Sequence, residues 1–427
     1  MTSIDALLER RYRVLGRNSP LFYERPLHIV RGEGVWLWDE AGRRYLDAYN
    51  NVPHVGHCHP HVVHSIAKQA ARLNTHTRYL HEGIVAYAER LTATFDPSLS
   101  MLMLACSGSE ANELALRIAN VTTGGEGVIC TNFAYHGNTR AVAQISTVFP
   151  PPDGFGPHIR AIPPPDSYRG LGGLAGQALE DAYVEEVRTA IASLQANGIR
   201  LAAMLICTLY SSEGLPNVPP GFMRRAVDLV RAAGGLYIAD EVQGGFGRTG
   251  RHMWGHEQYG VVPDLVTLGK PMGNGHPISG VVGRADLIQA FGGKVMYFNT
   301  FGGNPVSCAA ANAVLDVIES ERLQENARVV GDYVIAGLER LARRHSIIGE
   351  VRGRGMFFAV DLVRDHATRE PAGAEAKRVI NAMRDRGVLI SRIGPHDNIL
   401  KIRPPMPFAR EHADLLLATL DDVLAGL

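Results

Sequence analysis

The sequence has little that would direct it to a membrane or to nucleic acid. No apolar run approaches the roughly 20 residues that a membrane-spanning helix requires. The 43 basic residues are balanced by 43 acidic ones, whereas a nucleic-acid-binding protein normally carries a basic excess. Residues 1–16 are typical of an amphipathic helix and lack the apolar centre of a signal peptide. We therefore expect a cytoplasmic protein with neither nucleic acid nor a membrane as a partner.

Cysteine is scarce as well. The five cysteines are scattered along 427 residues, which excludes a disulfide framework and favours a reducing compartment. Hydrophobic residues make up 46% and charged residues 20% of the chain, as in globular proteins. A chain of this length exceeds the usual size of a single core. These features favour a globular enzyme with two or three structural units.

Short apolar runs, rather than long ones, organise the middle of the chain. Their apolarity is continuous instead of alternating, which predicts strands buried on both faces of a mostly parallel sheet. Strands are predicted at residues 101–106, 127–131, 201–207, 236–240, 265–268 and 278–282. Helices are predicted at residues 110–120, 223–233 and 285–291. The sequence therefore predicts an α/β fold.

The two ends of the chain have a different pattern. They predict a hairpin at 30–46, one long helix through 344, strands at 356–363 and 399–403, a helix at 374–386 and a closing helix. Residues 150–165, rich in proline and glycine, are predicted to form a surface excursion. We expect an N-terminal segment (1–55), a large domain (56–320) and a C-terminal small domain (321–427). The N-terminal segment is expected to join the small α+β domain.

Three strand ends carry residues that could bind a ligand or take part in catalysis. The strand at 101–106 runs into Gly108 and Ser109 at the start of a helix, where free N–H groups can bind an anion. Ordinary helix capping by Ser109 explains the same segment. The strand at 236–240 ends in Asp240, at the edge where open α/β sheets bind ligands. Taken alone, Asp240 is equally consistent with an ordinary loop acid or with a metal ligand.

The third strand ends at Lys270. Only five of the 43 basic residues are lysine, so a lysine between glycines at a strand end is favoured for its amine rather than its charge. A surface lysine remains the alternative for this residue taken alone. Together, an anion cradle, an aspartate and a lysine on one sheet are what pyridoxal 5′-phosphate (PLP) requires for its phosphate, ring nitrogen and aldehyde.

The motifs around these residues resemble one enzyme family. SGSEANE (107–113), YHG (135–137), ADEVQGGFGRTG (239–250), GKPMGNGHP (269–277) and FNTFGGNP (298–305) resemble class III (ornithine/4-aminobutyrate type) PLP-dependent aminotransferases of fold type I. The resemblance runs from about residue 26 to the C-terminus. NVPHVGHCHP, NTHTRYLH and LKIRPPM are most similar to the alanine–glyoxylate-aminotransferase-2-like branch, which also contains phospho-lyases. The resemblance implies a large domain built on a mostly parallel seven-stranded sheet.

The resemblance also implies roles for individual residues. Lys270 would form the Schiff base with PLP and move the proton, and Asp240 would pair with the ring nitrogen. The remaining implied cofactor contacts are the phosphate on Gly108 and Ser109, the ring on Tyr135 and Val242, the 3′-oxygen at Gln243, and His136 beside Tyr135. Thr300 would reach the neighbouring subunit's cofactor, which implies a homodimer or tetramer with shared active sites.

Substrate recognition is expected from Arg403, Asn51 and Tyr79, with Arg403 matching the family's carboxylate-binding arginine. The family's Glu-Pro-Ile-Gln stretch is altered here, since its first glutamate is Cys207 and its gating glutamate aligns with Ser212. This departure disfavours 2-oxoglutarate and favours a small acceptor such as pyruvate or glyoxylate. We expect an aminotransferase moving an amino group from an amine or amino acid to such a keto acid.

The alternative is a phospho-lyase acting on a phosphorylated amine such as ethanolamine phosphate. Lyase relatives tend to have lysine at the position of Arg403, so we place amino-group transfer first.

A zinc site in the histidine-rich residues 53–64 is the other possibility that the sequence raises. GHCHP is itself a family motif in enzymes without a metal, so no metal is expected.

Overall fold

A computed structural model describes residues 4–427. Within them, the α-helices are α1 Ile4–Leu15, α2 Pro60–Ala70, α3 Glu82–Thr92, α4 Gly108–Thr123, α5 Arg140–Ala143, α6 Gly176–Ala196, α7 Phe222–Ala232, α8 Ala285–Gly292, α9 Pro305–Ser320, α10 Leu323–Arg344, α11 Gly373–Asp385 and α12 Arg410–Ala425. The strands are β1 Ile29–Glu33, β2 Trp36–Asp39, β3 Arg44–Asp47, β4 Met101–Ala105, β5 Gly127–Thr131, β6 Ile159–Ile162, β7 Leu201–Cys207, β8 Leu236–Asp240, β9 Leu265–Leu268, β10 Ser279–Gly283, β11 Ile348–Arg354, β12 Phe357–Asp365, β13 Glu370–Pro371, β14 Val388–Leu389, β15 Ser391–Ile393 and β16 Ile399–Ile402.

The central sheet has seven strands in the order β4-β10-β9-β8-β7-β5-β6. Strand β10 pairs antiparallel with both neighbours, and the other pairings in this sheet are parallel. Every residue of β5, β7, β8 and β9 is buried, because helices cover both faces of such a sheet. The carboxyl ends of β4, β5, β7, β8 and β9 therefore meet at one edge. The predicted α/β fold with a mostly parallel seven-stranded sheet is confirmed.

Most of the predicted elements of this sheet form, and one segment was predicted wrongly. The six predicted strands are present, each within one residue at either end. Residues 150–165, predicted as a surface excursion, contain β6, which pairs with β5 at the edge of the sheet. Ile159 and Ile162 of β6 are buried, but two apolar residues among prolines and glycines were too weak a signal to predict a strand.

The two ends of the chain meet in a second sheet of four strands, ordered β1-β2-β3-β14. The predicted hairpin at 30–46 is a three-stranded meander with an additional turn at Gly34. Val388 of β14 pairs in parallel with Leu46 of β3. A third sheet contains β11, β12, β16 and β15, with β13 paired to β12. The domain boundaries after residues 55 and 320 stay predictions.

Two helical predictions need a correction or a limit. The long helix expected through residue 344 is two helices, α9 and α10, because Arg322 between them takes a left-handed conformation with φ +51°. The N-terminal helix is present as α1, and the part of that prediction at residues 1–3 lies outside the described residues. Over residues 4–427, no helix is long and apolar enough to cross a membrane.

The turn between β11 and β12 packs, through a glycine, against the segment between β8 and β9. Gly355 has φ +55°, and a Cβ atom there would lie 2.0 Å from the carbonyl oxygen of Arg248. The next residue, Met356, donates its N–H to that same oxygen at 2.9 Å. This junction leaves no room for a side chain.

We expect Gly355→Ala to lower the free energy of unfolding by about 2–4 kcal/mol, combining left-handed strain with overpacking. Gly34→Ala is the matched control, because Gly34 has φ +58° but no atom within 4 Å of the added Cβ. It should cost only about 1 kcal/mol, the strain alone. Thermal and urea denaturation of both variants checks this, and equal losses would contradict the steric explanation.

Candidate active site

Asp240 lies at the carboxyl end of β8, in the middle of the central sheet, and its side chain is buried. Its Oδ2 lies 2.6 Å from Nδ1 of His136 and accepts a hydrogen bond from the Asn112 amide at 3.1 Å. Its Oδ1 accepts from the N–H of Val242 at 3.0 Å. A buried carboxylate with this many hydrogen-bond partners is held in one orientation. It can therefore face a protonated ring nitrogen.

The loops after β4, β8 and β9 approach one another more closely than side chains would permit. A Cβ atom on Gly108 would lie 3.2 Å from the methyl groups of Val242. A Cβ atom on Gly269 would lie 3.3 Å from Val242 and 3.4 Å from the backbone of Gly108. These glycines therefore keep open a narrow cradle in front of Val242.

The N-terminus of α4 forms one wall of this cradle. The helix is capped by Ser107, whose hydroxyl accepts from the N–H of Glu110 at 3.2 Å. Ser109 is thus not the cap, and its hydroxyl accepts from the N–H of Asn138 at 3.1 Å. Gly137, with φ +142°, lies so close that a Cβ there would be 2.4 Å from this hydroxyl. The Ser109 hydroxyl itself donates to Oδ1 of Asn138 at 3.1 Å, so the N–H groups at the start of the helix provide the donors that an anion requires.

Lys270 follows β9 and begins a short 3₁₀ turn, Lys270–Gly273. Over residues 4–427 its amine makes no hydrogen bond with the protein. Burial lowers the pKa of Lys270 below its usual 10.5, and the nearby Arg403 lowers it further, while Asp240 acts in the opposite direction. Lys270 is thus an unengaged amine that deprotonates more readily than a surface lysine, as a nucleophile for an aldehyde should.

Arg403, just beyond β16, is buried and reaches the same region from the third sheet. Its NH1 group donates to Oε1 of Gln243, and its Nε donates to the carbonyl oxygen of Tyr49 at 3.0 Å. The Gln243 amide donates to the hydroxyl of Ser211 in turn. Arg403 and Gln243, expected to bind substrate and cofactor, are therefore hydrogen-bonded to each other.

The loop after β7 explains why no acid covers Arg403. Glu213, one position from the aligned gate at Ser212, accepts hydrogen bonds from Thr131 at 2.6 Å and from the Ser212 N–H at 3.0 Å. Its carboxylate is buried, and this burial raises its pKa. Cys207 lies 3.3 Å from the Ser211 hydroxyl, and burial raises the pKa of its thiol to about 12. The loop offers Arg403 no carboxylate.

Other predicted residues lie apart from this cluster. Tyr79 is two-thirds exposed and stacks on His76, which in turn contacts Phe298 edge-on. Thr300 is exposed on the same loop as Phe298. Tyr135 is about one-third exposed, next to His136. For residues 4–427, no hydrogen bond or ring contact joins Tyr79 or Thr300 to the residues around Asp240.

Asn51 is fully buried, and neither the nitrogen nor the oxygen of its side-chain amide has a hydrogen-bond partner in the described part of the chain.

Two further residues at the site are not predicted from the sequence. Asn112 belongs to the SGSEANE motif, and its place one turn after Ser109 is the sequence signal that points to it. Lys401 shares a face with Arg403 by strand alternation, and its amine donates to the carbonyl oxygen of Ser211 at 2.7 Å.

Four of the five histidines in residues 53–64 are engaged in separate contacts. His57 pairs with Asp47 at 2.6 Å, and His54 lies 2.8 Å from the carbonyl oxygen of Phe246. His59 and His61 pair with acids of α9 and the residue after it. Throughout residues 4–427, no group of three or more His, Cys, Asp or Glu residues is arranged to hold a metal ion.

A profile of the family described as "Aminotransferase class-III" matches residues 22–424. The chain belongs to the class-III aminotransferase family. Class-III aminotransferases are PLP-dependent enzymes, and the cradle fits that cofactor. Its glycines leave space that a Cβ would fill, the Asp240 carboxylate is held in place by hydrogen bonds at the end of β8, and the Lys270 amine makes no hydrogen bond within residues 4–427.

Relatives with different printed activities resemble this class-III chain. It is 43% identical to "Alanine--glyoxylate aminotransferase 2-like" of Drosophila melanogaster, over 98% of this chain and 87% of that protein. It is 38% identical to "Ethanolamine-phosphate phospho-lyase homolog 1" of Caenorhabditis elegans, over 99% and 94%. Among solved structures, a phospholyase from Arthrobacter in complex with phosphoethanolamine is 51% identical, with a TM-score of 0.96 over 99% of this chain and 100% of that one.

The lowered pKa of Lys270 gives a pH-dependent prediction for cofactor capture. Because the neutral amine attacks the aldehyde, the rate at which cofactor-free protein binds PLP covalently should rise with pH. The midpoint should lie below 10.5, the usual lysine pKa. Stopped-flow absorbance measures the rate, and borohydride reduction followed by peptide mapping identifies the lysine.

Lys270→Ala should abolish the absorbance band of covalently bound PLP and lower turnover by several orders of magnitude. The exposed Lys68→Ala is the control and should leave both unchanged. Covalent capture that persists in Lys270→Ala would contradict the assignment of this lysine.

Proposed function

We propose that this protein is a PLP-dependent phospho-lyase that removes phosphate from a small phosphorylated amine. The observation that carries the proposal is a cluster of three basic side chains, Lys270, Lys401 and Arg403. Over residues 4–427, none of them forms an ion pair with a carboxylate. Arg403 and Lys401 instead donate to a side-chain amide and a backbone carbonyl.

Charge balance favours a dianion as the missing partner. Basic side chains buried without an ion-pair partner favour an anionic ligand, and a phosphate carries close to two negative charges at neutral pH, whereas a carboxylate carries one. Arginine also recognises phosphate through two parallel hydrogen bonds. The cleft therefore suits a phosphate ester better than a simple amino acid.

The likeness to known proteins supports the same proposal. The Arthrobacter phospholyase, whose structure contains phosphoethanolamine, shares 51% of its residues with this chain across its whole length. The nematode relative carries a phospho-lyase name as well. Ethanolamine phosphate is accordingly the first substrate to test.

The residues of the site can be given roles in this reaction. PLP, when bound, withdraws electrons from the carbon that bears the amine. Lys270 removes the proton from that carbon, and Asp240 holds the ring nitrogen protonated. Arg403 orients the phosphate, which leaves with the electron pair of its C–O bond. One water is consumed, and the products are inorganic phosphate, ammonia and an aldehyde.

Transfer of the amino group to a small keto acid is the second candidate. It is supported by Arg403, which suits a carboxylate, and by the aminotransferase names of several relatives. Ser212 in place of the gating glutamate leaves Arg403 uncovered, which favours pyruvate or glyoxylate over 2-oxoglutarate. The same Lys270 and Asp240 would serve both reactions, so the substrate decides between them.

A half-reaction screen separates the two candidates. With ethanolamine phosphate and no keto acid, we expect sustained release of phosphate and ammonia in equal amounts, while the cofactor spectrum returns to its starting form. A single turnover that stops until pyruvate or glyoxylate is added, without phosphate release, would establish transfer instead.

Arg403→Ala should weaken use of the phosphorylated amine by about 2–4 kcal/mol, the scale for losing a buried charge-assisted pair. Arg188→Ala is the control, since Arg188 lies exposed on α6 and pairs only with Glu185. Phosphate release that is insensitive to Arg403→Ala would contradict the role given to Arg403.

Assembly as a homodimer with shared active sites is part of the proposal. It is supported by the exposure of Thr300 on a loop with exposed apolar neighbours, Met296, Phe298 and Phe301. A cytoplasmic location is proposed too, because all five cysteines are free.

Subunit mixing tests the shared site. Lys270→Ala and Thr300→Ala subunits, each of low activity alone, should regain up to about a quarter of wild-type activity when exchanged into one dimer, because one of its two sites is then intact in half of the molecules. No regain after verified exchange would show that Thr300 does not serve a neighbour.

A further inference from the structure

Lys401 is a buried lysine beside the active site that the proposed reaction does not use directly. Only 4% of the residue is exposed, and Arg403 follows two residues later, just beyond β16. Its amine donates to the carbonyl oxygen of Ser211 at 2.7 Å and lies 5.5 Å from the ring centre of Phe357. The side chain is thus fixed in place without an ionic partner.

The charged and titratable groups around Lys401 do not neutralise an ammonium there. Arg403, two residues further along the chain, and Lys270 both act electrostatically against a positive charge at Lys401. Cys207 is a neutral thiol because burial raises its pKa to about 12. Glu213 is the remaining acid, and its oxygens already accept hydrogen bonds from other groups. Burial, followed by the charge of Arg403, lowers the pKa of Lys401 well below its usual value.

A lysine can respond to this environment in a way that arginine cannot. The guanidinium of Arg403 keeps its charge, whereas a lysine amine can release its proton when it is buried. A neutral amine still has N–H groups to donate to Ser211, so both protonation states keep the same contact. A charge change at Lys401 therefore requires no rearrangement of the loop.

We propose that Lys401 takes up a proton when a dianion binds beside Arg403, so that the site gains a positive charge only for a doubly charged ligand and selects phosphate esters over carboxylates. The proposal rests on the proposed phospho-lyase function and names how that site distinguishes its substrate. Linkage makes the effect reciprocal, because an anion that raises proton affinity at Lys401 must bind more tightly when the proton is present. A monoanion is already balanced by Arg403 and gives a smaller response.

Isothermal titration calorimetry of the holoenzyme tests this with sulfate, a dianion that does not titrate near neutral pH. Titrations at about pH 8.5, where an exposed lysine is charged, are run in two buffers with different ionisation enthalpies. The difference between the observed enthalpies gives the number of protons taken up. We expect uptake approaching one proton per site with sulfate, and clearly less with formate.

Two variants of Lys401 identify the source of the proton. Lys401→Arg carries a permanent charge and should bind sulfate without proton uptake. Lys401→Met should lose the uptake and bind sulfate about tenfold more weakly. The control Lys377→Met changes an exposed lysine paired with Glu24 and should behave as wild type. Circular dichroism verifies that each variant is folded.

The result that overturns the proposal is also specific. Wild-type holoenzyme that binds sulfate without proton uptake would disprove it. Uptake that persists in Lys401→Arg, together with a shift of the cofactor absorbance, would assign the proton to Lys270 and disprove it equally. Failure of the phospho-lyase function is seen separately, as absence of phosphate release from ethanolamine phosphate while sulfate-linked uptake at Lys401 remains.

Discussion

The buried carboxylate of Asp240 is the interaction on which the site depends. An acid in the middle of the central sheet is tolerable only because His136, Asn112 and the N–H of Val242 surround it with donors. Those donors come from α4, from the loop after β5 and from the end of β8. Satisfying one charge therefore fixes three segments relative to one another and places Val242 against the glycines of the cradle.

The opposite side of the cleft is organised by positive charge. Arg403, Lys401 and Arg248 are buried, and their hydrogen bonds go to carbonyl oxygens, an amide and a histidine rather than to carboxylates. Burial lowers the pKa of Arg248 to about 9. An anionic ligand would add negative charge and hydrogen-bond acceptors to this cluster. Recognition and the stability of this part of the fold are linked for that reason.

The sequence was most informative where one local rule decides the structure. Continuous apolar runs predicted the strands that end at Asp240 and before Lys270, because buried parallel strands have no polar face. It was less informative where the outcome depends on distant segments. The edge strand β6 and the break at Arg322 follow from packing, and no local periodicity encodes them.

The limits at the site have the same cause. The motif around Lys270 predicted its chemistry, since a lysine between glycines at a strand end is a local feature. The hydrogen bond between Arg403 and Gln243 joins residues far apart in the chain, and neither residue alone indicates it. The sequence does not indicate a role for Lys401, because a lysine beside an arginine in the segment LKIR is usually exposed. Its burial comes from the loop after β7, which covers it.

The pairing of β3 with β14 has a consequence for how the protein is made. All seven strands of the central sheet have been synthesised once residue 283 is added, so this sheet can form before the C-terminal segments are complete. Strand β3 is synthesised before all of these strands, whereas its partner at Val388–Leu389 is synthesised after them. For most of translation β3 keeps an open edge, which is a site for mispairing with other chains. The nascent chain must therefore protect its N-terminal meander until the C-terminal residues arrive, and truncation near the C-terminus leaves that edge permanently uncovered.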